Sequence, residues 1–140
     1  MIVAKGIGKS FDGERILSGV DLTFHEGEVV GIVGPGGVGK SLLMKILCGL
    51  VAPDEGEVTV FGRSWADLSV TERAKLRERF GMLFQNYALF DFMTVGENVA
   101  FPLVQRGDIS AEDVQSRVIE RLTQVELSGV NHLYSRELSG

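Results

Sequence analysis

The sequence predicts an α/β fold, because patterns typical of strands and of amphipathic helices occur together along one chain of 140 residues. Residues 29–33, Val-Val-Gly-Ile-Val, form a short apolar run that is typical of a strand covered on both faces. A glycine-rich loop follows at residues 34–39, and apolar side chains then recur at helical spacing over residues 42–50. This strand–loop–helix unit is the main evidence for the fold class.

The other strands and turns are predicted from shorter patterns. Residues 20–24 and 57–61 alternate apolar and polar side chains, which indicates strands with one buried face. Residues 81–84 form a continuous apolar run and predict a buried strand. Turns are predicted at residues 25–28 and 53–56, where glycine occurs beside acidic residues.

Three helix starts are predicted from capping patterns, in which a serine or threonine precedes an acidic residue by three positions. The pairs are Ser69 with Glu72, Thr94 with Glu97, and Ser110 with Asp113. We expect Pro102 to kink or shorten the second of these helices. The basic residues of the first helix alternate with acidic ones and predict a solvated face; they are Arg73, Lys75, Arg77 and Arg79.

Composition excludes several classes of protein. The chain has 44% hydrophobic and 24% charged residues, which is ordinary for a globular domain and excludes a disordered or fibrous chain. Its formal net charge of −5 argues against non-specific binding of nucleic acid. The single cysteine, Cys48, excludes an internal disulfide and a cysteine-based metal cluster, and its apolar neighbours predict a core position. We find no signal peptide and no apolar run long enough to span a membrane, so we expect a protein that is cytoplasmic or that sits on a membrane through a partner.

The glycine-rich loop carries the chemistry. Its residues match the pattern G-x-x-x-x-G-K-[ST], with a predicted strand before it and a predicted helix after it. Glycines let the backbone N–H groups turn inward toward an anion, and the helix start adds its positive dipole end. We therefore expect this segment to bind a nucleotide, with Lys40 reaching the β- and γ-phosphates and the Ser41 hydroxyl coordinating Mg²⁺. The predicted binding residues are Gly34, Pro35, Gly36, Gly37, Val38, Gly39, Lys40 and Ser41.

Three further features accompany the loop: Phe11 before Asp12-Gly13, Gln85 after an apolar run, and Leu138-Ser139-Gly140 at the end. With these features the sequence resembles the ATP-binding subunits of ABC transporters over essentially all 140 residues. The resemblance implies an incomplete P-loop NTPase fold of the ABC type. Residues 1–84 would form the core with the P-loop, and residues 85–140 the glutamine loop and helical subdomain, cut at the family's LSGGQ signature.

The resemblance also implies roles for individual residues. Phe11 would stack on adenine, where the family usually has tyrosine; the alternative is an ordinary strand residue. Gln85 would contact Mg²⁺ and the attacking water, and the alternative is a surface glutamine. Ser139 and Gly140 would bind the γ-phosphate held by the opposite subunit of a head-to-tail homodimer, and the alternative is a frayed chain end. Lys40 and Gln85 are thus the expected catalytic residues, with ATP and Mg²⁺ as ligands.

The stretch from Met82 to Leu103 is similar to the Mla/Mce-type branch of the family, which moves lipids across the bacterial envelope. This implies transmembrane permease subunits, a periplasmic lipid-binding component, and attachment to the inner face of the cytoplasmic membrane through the permease. An apolar patch in this stretch is predicted either to lie in the core of the helical subdomain or to dock a partner helix. Its residues are Tyr87, Leu89, Phe90, Phe92 and Met93.

The family's remaining hydrolytic parts, an apolar strand ending in Asp-Glu and a later histidine, do not occur in the sequence. Asp54-Glu55 lies in a predicted turn and Glu112-Asp113 opens a predicted helix. We therefore expect the N-terminal portion of a longer ATPase. Two alternatives stay open: a non-hydrolysing nucleotide-binding module, and an ABC ATPase of DNA repair or translation.

Overall fold

A computed structural model describes residues 1–85 and 88–138 of the chain. It divides into two compact units, Met1–Met82 and the residues from Leu83 onward. The first unit contains a four-stranded sheet in the order β2-β1-β3-β4. Its strands are β1 (Ile2–Phe11), β2 (Glu14–Phe24), β3 (Glu55–Val60) and β4 (Arg63–Ser64).

The central strand β1 pairs antiparallel with both of its long neighbours. Ile2 lies opposite Phe24 of β2 on one side and opposite Val60 of β3 on the other. The strands predicted from alternating residues are thus confirmed in β2 and β3. Beside the middle of β1, Gly56 has a φ of +78° and approaches the backbone of Lys5 so closely that a Cβ has no room there.

Two helices follow in the first unit, α1 (Lys40–Leu47) and α2 (Val70–Arg77). The α1 side chains Leu43, Ile46 and Leu47 are buried in one cluster with residues of β1 and β3. The predicted capping box of α2 is confirmed, because Ser69 and Glu72 each accept a hydrogen bond from the other's backbone N–H. The burial of side chains at helical spacing thus stabilises α1 against the sheet. The capping box determines the residue at which α2 begins.

Cys48 ends α1 and is buried, as predicted for a core thiol. Burial raises the pKa of this thiol. The next residue, Gly49, has a φ of +69°, and a Cβ there would lie 2.8 Å from the indole ring of Trp65. Trp65 in turn donates a hydrogen bond from Nε1 to the Leu47 carbonyl oxygen at 3.1 Å. Glycine is therefore required where the helix end meets this ring.

The buried strands predicted at 29–33 and 81–84 are not formed within the described residues. Val29 and Val33 are 99% and 93% exposed, and Leu83 is 85% exposed. An apolar run becomes a strand only where a neighbouring strand takes its N–H and C=O groups and covers its faces. The paired strands of the described chain are all taken up by the antiparallel sheet of β1 to β4. The apolar pattern alone was therefore insufficient to predict these two elements.

The second unit contains α3 (Val95–Arg106) and α4 (Ala111–Gln124). Thr94 and Glu97 form the predicted capping box of α3, and the Ser110 side chain accepts a hydrogen bond from the Asp113 N–H at the start of α4. Pro102 lies inside α3, which continues past it, so the prediction of a shortened helix is wrong. A proline removes only the hydrogen bond of its own N–H, and the turns on either side keep theirs.

The core of the second unit is small. Val95 of α3 is buried together with Val118 and Leu122 of α4. An isolated antiparallel bridge joins Thr94 to Tyr134. No helix in residues 1–85 or 88–138 combines the length and the apolar character that crossing a membrane requires.

Candidate functional site

The glycine-rich loop leads directly into α1 in the first unit. Three of its glycines have backbone conformations that side chains rarely adopt, with φ of +158° at Gly34, +81° at Gly37 and +91° at Gly39. A Cβ at Gly39 would also lie 2.9 Å from side-chain atoms of both Ile16 and Leu17. Gly39 is therefore fixed twice, by its left-handed backbone and by contact with β2.

The inner side of the loop is open. A Cβ built at Gly36 or Gly37 meets no atom within 4 Å. Gly39 caps α1 without a side-chain hydrogen bond, so the first N–H groups of the helix have no partner from a cap. Free N–H groups at a helix start, with the positive end of the dipole, form a favourable site for an anion. The geometry of the loop thus fits a phosphate group.

The Lys40 side chain lies over this loop. Its Nζ donates hydrogen bonds to the carbonyl oxygens of Gly34 at 2.8 Å and Pro35 at 2.5 Å. These contacts hold the ammonium group at the loop itself, although three rotatable donors leave it free to bind another acceptor. A cation is therefore positioned where the negative charge of a phosphate is expected.

Ser41 lies in the first turn of α1 and is exposed. Together with Lys40 it lines an open cavity of about 410 Å³ whose other walls are apolar residues such as Ile32 and Met44. The described chain contains no group of three or more His, Cys, Asp or Glu residues able to hold a metal ion. A single hydroxyl oxygen fits Mg²⁺, because this ion takes few protein ligands and completes its shell with waters and phosphate oxygens.

Phe11 lies at the end of β1 and is 50% exposed. One cation approaches its ring, since Lys9 Nζ lies 5.4 Å from the ring centroid. Lys9 is held in turn by Asp54, whose carboxylate accepts from Nζ at 2.6 Å and from the Ser10 N–H at 2.8 Å. These hydrogen bonds lower the pKa of Asp54. Half of the aromatic surface stays available for stacking.

Gln85 belongs to the second unit and is exposed. The predicted γ-phosphate residues Ser139 and Gly140 lie outside the described residues, as does Tyr87 of the apolar patch. Within the patch, the Phe90 ring packs on Phe101 of α3 with centroids 4.8 Å apart, whereas Phe92 is 73% exposed. Phe90 is 38% exposed and belongs to no buried cluster of the described residues, so the core interpretation does not hold for it, and docking of a partner helix stays a prediction.

Asn98 organises this segment and was not singled out from the sequence. Its Oδ1 accepts from the Phe90 N–H at 2.8 Å, and its Nδ2 donates to the carbonyl oxygens of Phe90 and Met93 at 3.1 and 3.2 Å. The adjacent capping pair gave the helix start, but no local pattern indicates a side chain that bonds eight residues back. Asn98 thus holds the segment from Phe90 to Met93 against the start of α3.

The prediction of a solvated basic face on α2 is wrong for two of its residues. Arg73 donates from Nη2 to the Ala66 carbonyl oxygen, and Arg77 donates from Nε to the Gly49 carbonyl oxygen, each at 3.2 Å. Both side chains are half-buried, while Lys75 and Arg79 are exposed. Spacing by four residues places Arg73 and Arg77 on one face of the helix, and that face packs inward.

Comparisons with known proteins agree with this geometry. Residues 17–140 match the family model described as ABC transporter. The chain is 41% identical to Protein TRIGALACTOSYLDIACYLGLYCEROL 3, chloroplastic, of Arabidopsis thaliana over 140 residues. It is 42% identical over 143 residues to the methionine import ATP-binding protein MetN of Carboxydothermus hydrogenoformans. It is 37% identical over 139 residues to the sulfate/thiosulfate import ATP-binding protein CysA of Mesostigma viride.

These alignments cover 99–100% of this chain but only 40%, 42% and 38% of the three relatives. The chain thus spans about two fifths of the length of the curated relatives that it matches. Among solved structures it resembles a bacterial ABC transporter cassette in its dimeric form, with a TM-score of 0.89 and 36% identity. That match covers 100% of this chain and 64% of the other.

A second solved structure, a cassette dimer in a post-hydrolysis state bound to ADP and Pi, has a TM-score of 0.87 and 35% identity. It covers 99% of this chain and 63% of the other. The predicted P-loop NTPase fold is confirmed by these two neighbours.

Proposed function

The chain belongs to the ABC transporter family, and on that premise we propose that it supplies the ATP-binding part of a subunit that powers membrane transport by binding and hydrolysing ATP. The observation that carries the proposal is the glycine loop at the start of α1. Gly39 is sterically fixed, the space at Gly36 and Gly37 is open, and Lys40 lies over the loop. These are the features that a triphosphate requires.

In the proposed complex the loop N–H groups hold the phosphates and Lys40 exchanges its carbonyl partners for phosphate oxygens. The exposed face of Phe11 stacks on adenine. Ser41 and Gln85 are the proposed Mg²⁺ contacts, and the ion, when bound, neutralises charge on the phosphates. Ser139 and Gly140 are proposed to bind the γ-phosphate of the opposite subunit in a homodimer. The dimeric cassettes among the similar structures support that assembly.

A direct test is equilibrium binding of a fluorescent ATP analogue in the presence of Mg²⁺. Replacing Lys40→Ala removes a charge-assisted contact to the phosphates, and we expect the affinity to fall at least tenfold. Lys45→Ala is the matched control, because Lys45 is an exposed lysine in the last turn of the same helix. Equal affinity of the Lys40→Ala and Lys45→Ala variants would contradict the proposed site.

Measurements of hydrolysis and of co-purification on the same protein distinguish a transport ATPase from a non-hydrolysing module and from a repair or translation ATPase. Hydrolysis that depends on Mg²⁺ and on the protein's permease supports the transport function. Binding without hydrolysis in the full-length protein would favour a non-hydrolysing module. Co-purification with nucleic acid in place of membrane would favour a repair or translation ATPase.

For the cargo we propose a lipid, with permease subunits that hold the protein at the inner face of the cytoplasmic membrane and with a periplasmic lipid-binding component. Two observations support this: the similarity of the stretch from Met82 to Leu103 to the lipid-transport branch, and the Arabidopsis relative that is named for a galactolipid. Relatives named for methionine and sulfate import favour small polar cargo. With the permease in detergent micelles, we expect added phospholipid and not methionine to stimulate ATP hydrolysis. Stimulation by methionine alone would overturn the lipid assignment.

A further inference from the structure

A second cavity in the first unit lies away from the glycine loop. It has a volume of about 470 Å³ and lies beside the end of α1, strand β3 and helix α2. This volume is in the range of small-molecule sites in proteins. The cavity shares no lining residue with the loop, and its wall combines polar surface with apolar residues that include Leu50, Val51, Pro53 and Trp65 in about equal measure.

Two guanidinium groups line this cavity. Arg73 and Arg77 are separated by one turn of α2, and each is held by a backbone carbonyl oxygen, of Ala66 and Gly49 respectively. These hydrogen bonds use only part of the five donors that each guanidinium carries. The two side chains are thus fixed in the wall with donors to spare.

One of these donors is buried without a partner. Arg73 Nε lies beneath the surface and makes no hydrogen bond to any described residue. A buried donor that lacks an acceptor is unfavourable, and such a group in a native protein calls for an explanation. Arg73 also lines the cavity, which is large enough to admit an acceptor for the guanidinium donors that remain.

The charge of the lining limits the ligand to a monoanion. Glu57 is the acidic residue of the wall, and within the described chain it forms no ion pair with Arg73 or Arg77. Two arginines and one glutamate leave a single uncompensated positive charge. A nucleotide phosphate chain carries more negative charge than this site neutralises.

We propose that this cavity binds a free monocarboxylate with a short hydrocarbon or aromatic body. The carboxylate accepts hydrogen bonds from the guanidinium groups of Arg73 and Arg77 in the fork geometry that arginine favours. The body packs against Trp65 and the aliphatic wall. The site is independent of the glycine loop, and its test requires no nucleotide.

Trp65 provides the signal for the test, because it lines the cavity and is the single tryptophan of these 140 residues. The full-length protein is titrated with hexanoate and with phenylacetate at constant ionic strength, and binding is followed by tryptophan fluorescence and by calorimetry. The Trp65→Phe variant identifies the part of the fluorescence that comes from this residue. Hexanol and benzyl alcohol supply the body without the charge, and inorganic phosphate supplies charge without the body.

We expect saturable binding of at least one acid and none of the alcohols or of phosphate. Arg73→Gln and Arg77→Gln should each weaken the binding of that acid about tenfold or more. Arg79→Gln is the matched control, because Arg79 does not line the cavity. Its guanidinium carbon instead lies 3.8 Å from the centroid of the Phe61 ring. If Arg73→Gln does not fold, Arg77→Gln and the wild-type titrations decide. Absence of saturable binding by both acids, equal binding of acids and alcohols, or unchanged affinity in both folded arginine variants would overturn the proposal.

Discussion

The two units of the chain are stabilised in different ways. In the first unit, β1 pairs with β2 and β3 from distant parts of the sequence, and a large buried cluster includes Ile7, Ile46 and Val60. In the second unit the buried cluster consists of Val95, Val118 and Leu122, and well-formed caps start both helices. The first unit therefore depends on long-range packing, whereas the second depends more on local signals. We expect the second unit to open at a lower free energy.

The largest expected effect comes from emptying the core of the first unit. Ile46 is fully buried between α1 and the sheet, so Ile46→Ala should lower the free energy of unfolding of that unit by about 2–5 kcal/mol. Hydrogen exchange resolved by residue should show faster exchange in β1 and β3 and little change in α4. Ile119→Ala, at an exposed position of α4, is the control. Faster exchange confined to α4 in Ile46→Ala would contradict the view that long-range packing around Ile46 stabilises the first unit.

A smaller effect is expected from removing one cap in each unit. Ser69→Ala and Thr94→Ala delete the same kind of hydrogen bond, and each should cost about 0.5–2 kcal/mol. Because the second unit has less packing to hold α3, Thr94→Ala should accelerate exchange throughout that helix. Ser69→Ala should affect only the first turn of α2. Equal spread of the effect in both helices would argue against the difference between the units.

The smallest effect is a dependence on acid. Hydrogen bonds from the Ser69 hydroxyl and backbone N–H, with one from Arg63, lower the pKa of Glu72 from its usual 4.5 to about 2. The pKa of Glu97 is also lowered, chiefly by the Thr94 backbone N–H and then by its hydroxyl. A carboxyl whose pKa is lower in the folded state stabilises fully above its unfolded value and loses this contribution as pH falls through its folded value.

We therefore expect the denaturant concentration at the unfolding midpoint of the first unit to decrease as the pH is lowered from about 4.5 to about 2. Glu72→Gln should make this midpoint depend less on pH. Glu78→Gln is the control, because Glu78 is an exposed glutamate at the end of the same helix and takes no part in the capping box. A slope that survives Glu72→Gln would assign the acid sensitivity to other carboxylates. The corresponding variant in the second unit is Glu97→Gln.

The sequence predicts best those features that have a local cause. The glycine loop is recognised because a left-handed backbone at Gly37 and Gly39 demands glycine. The starts of the helices are recognised because the two residues of each capping box lie within four consecutive positions of the sequence. The residues that depend on distant partners were predicted less well. The run at 29–33 is more apolar than β3 but has no paired neighbour in the described chain.

Arg73 and Arg77 are polar residues whose distant partners could not be predicted from the sequence either. Charge and spacing are the same on a solvated face and on a face that packs over Gly49 and Ala66, so the sequence could not distinguish them. Asn98 likewise bonds Phe90 across eight residues without a pattern of its own. Roles assigned to Phe11 and Gln85 rest on family resemblance, since half-exposed aromatic and exposed amide side chains are common on any surface.

The two carbonyl contacts of Lys40 have a thermodynamic consequence for the proposed phosphate site. An arriving phosphate does not meet a freely hydrated ammonium group, because Nζ already bonds the Gly34 and Pro35 oxygens. Association is therefore an exchange of acceptors, in which the bonds broken offset much of the heat released by the bonds formed. We expect the measured enthalpy of nucleotide binding to be smaller than the number of contacts to Lys40 suggests.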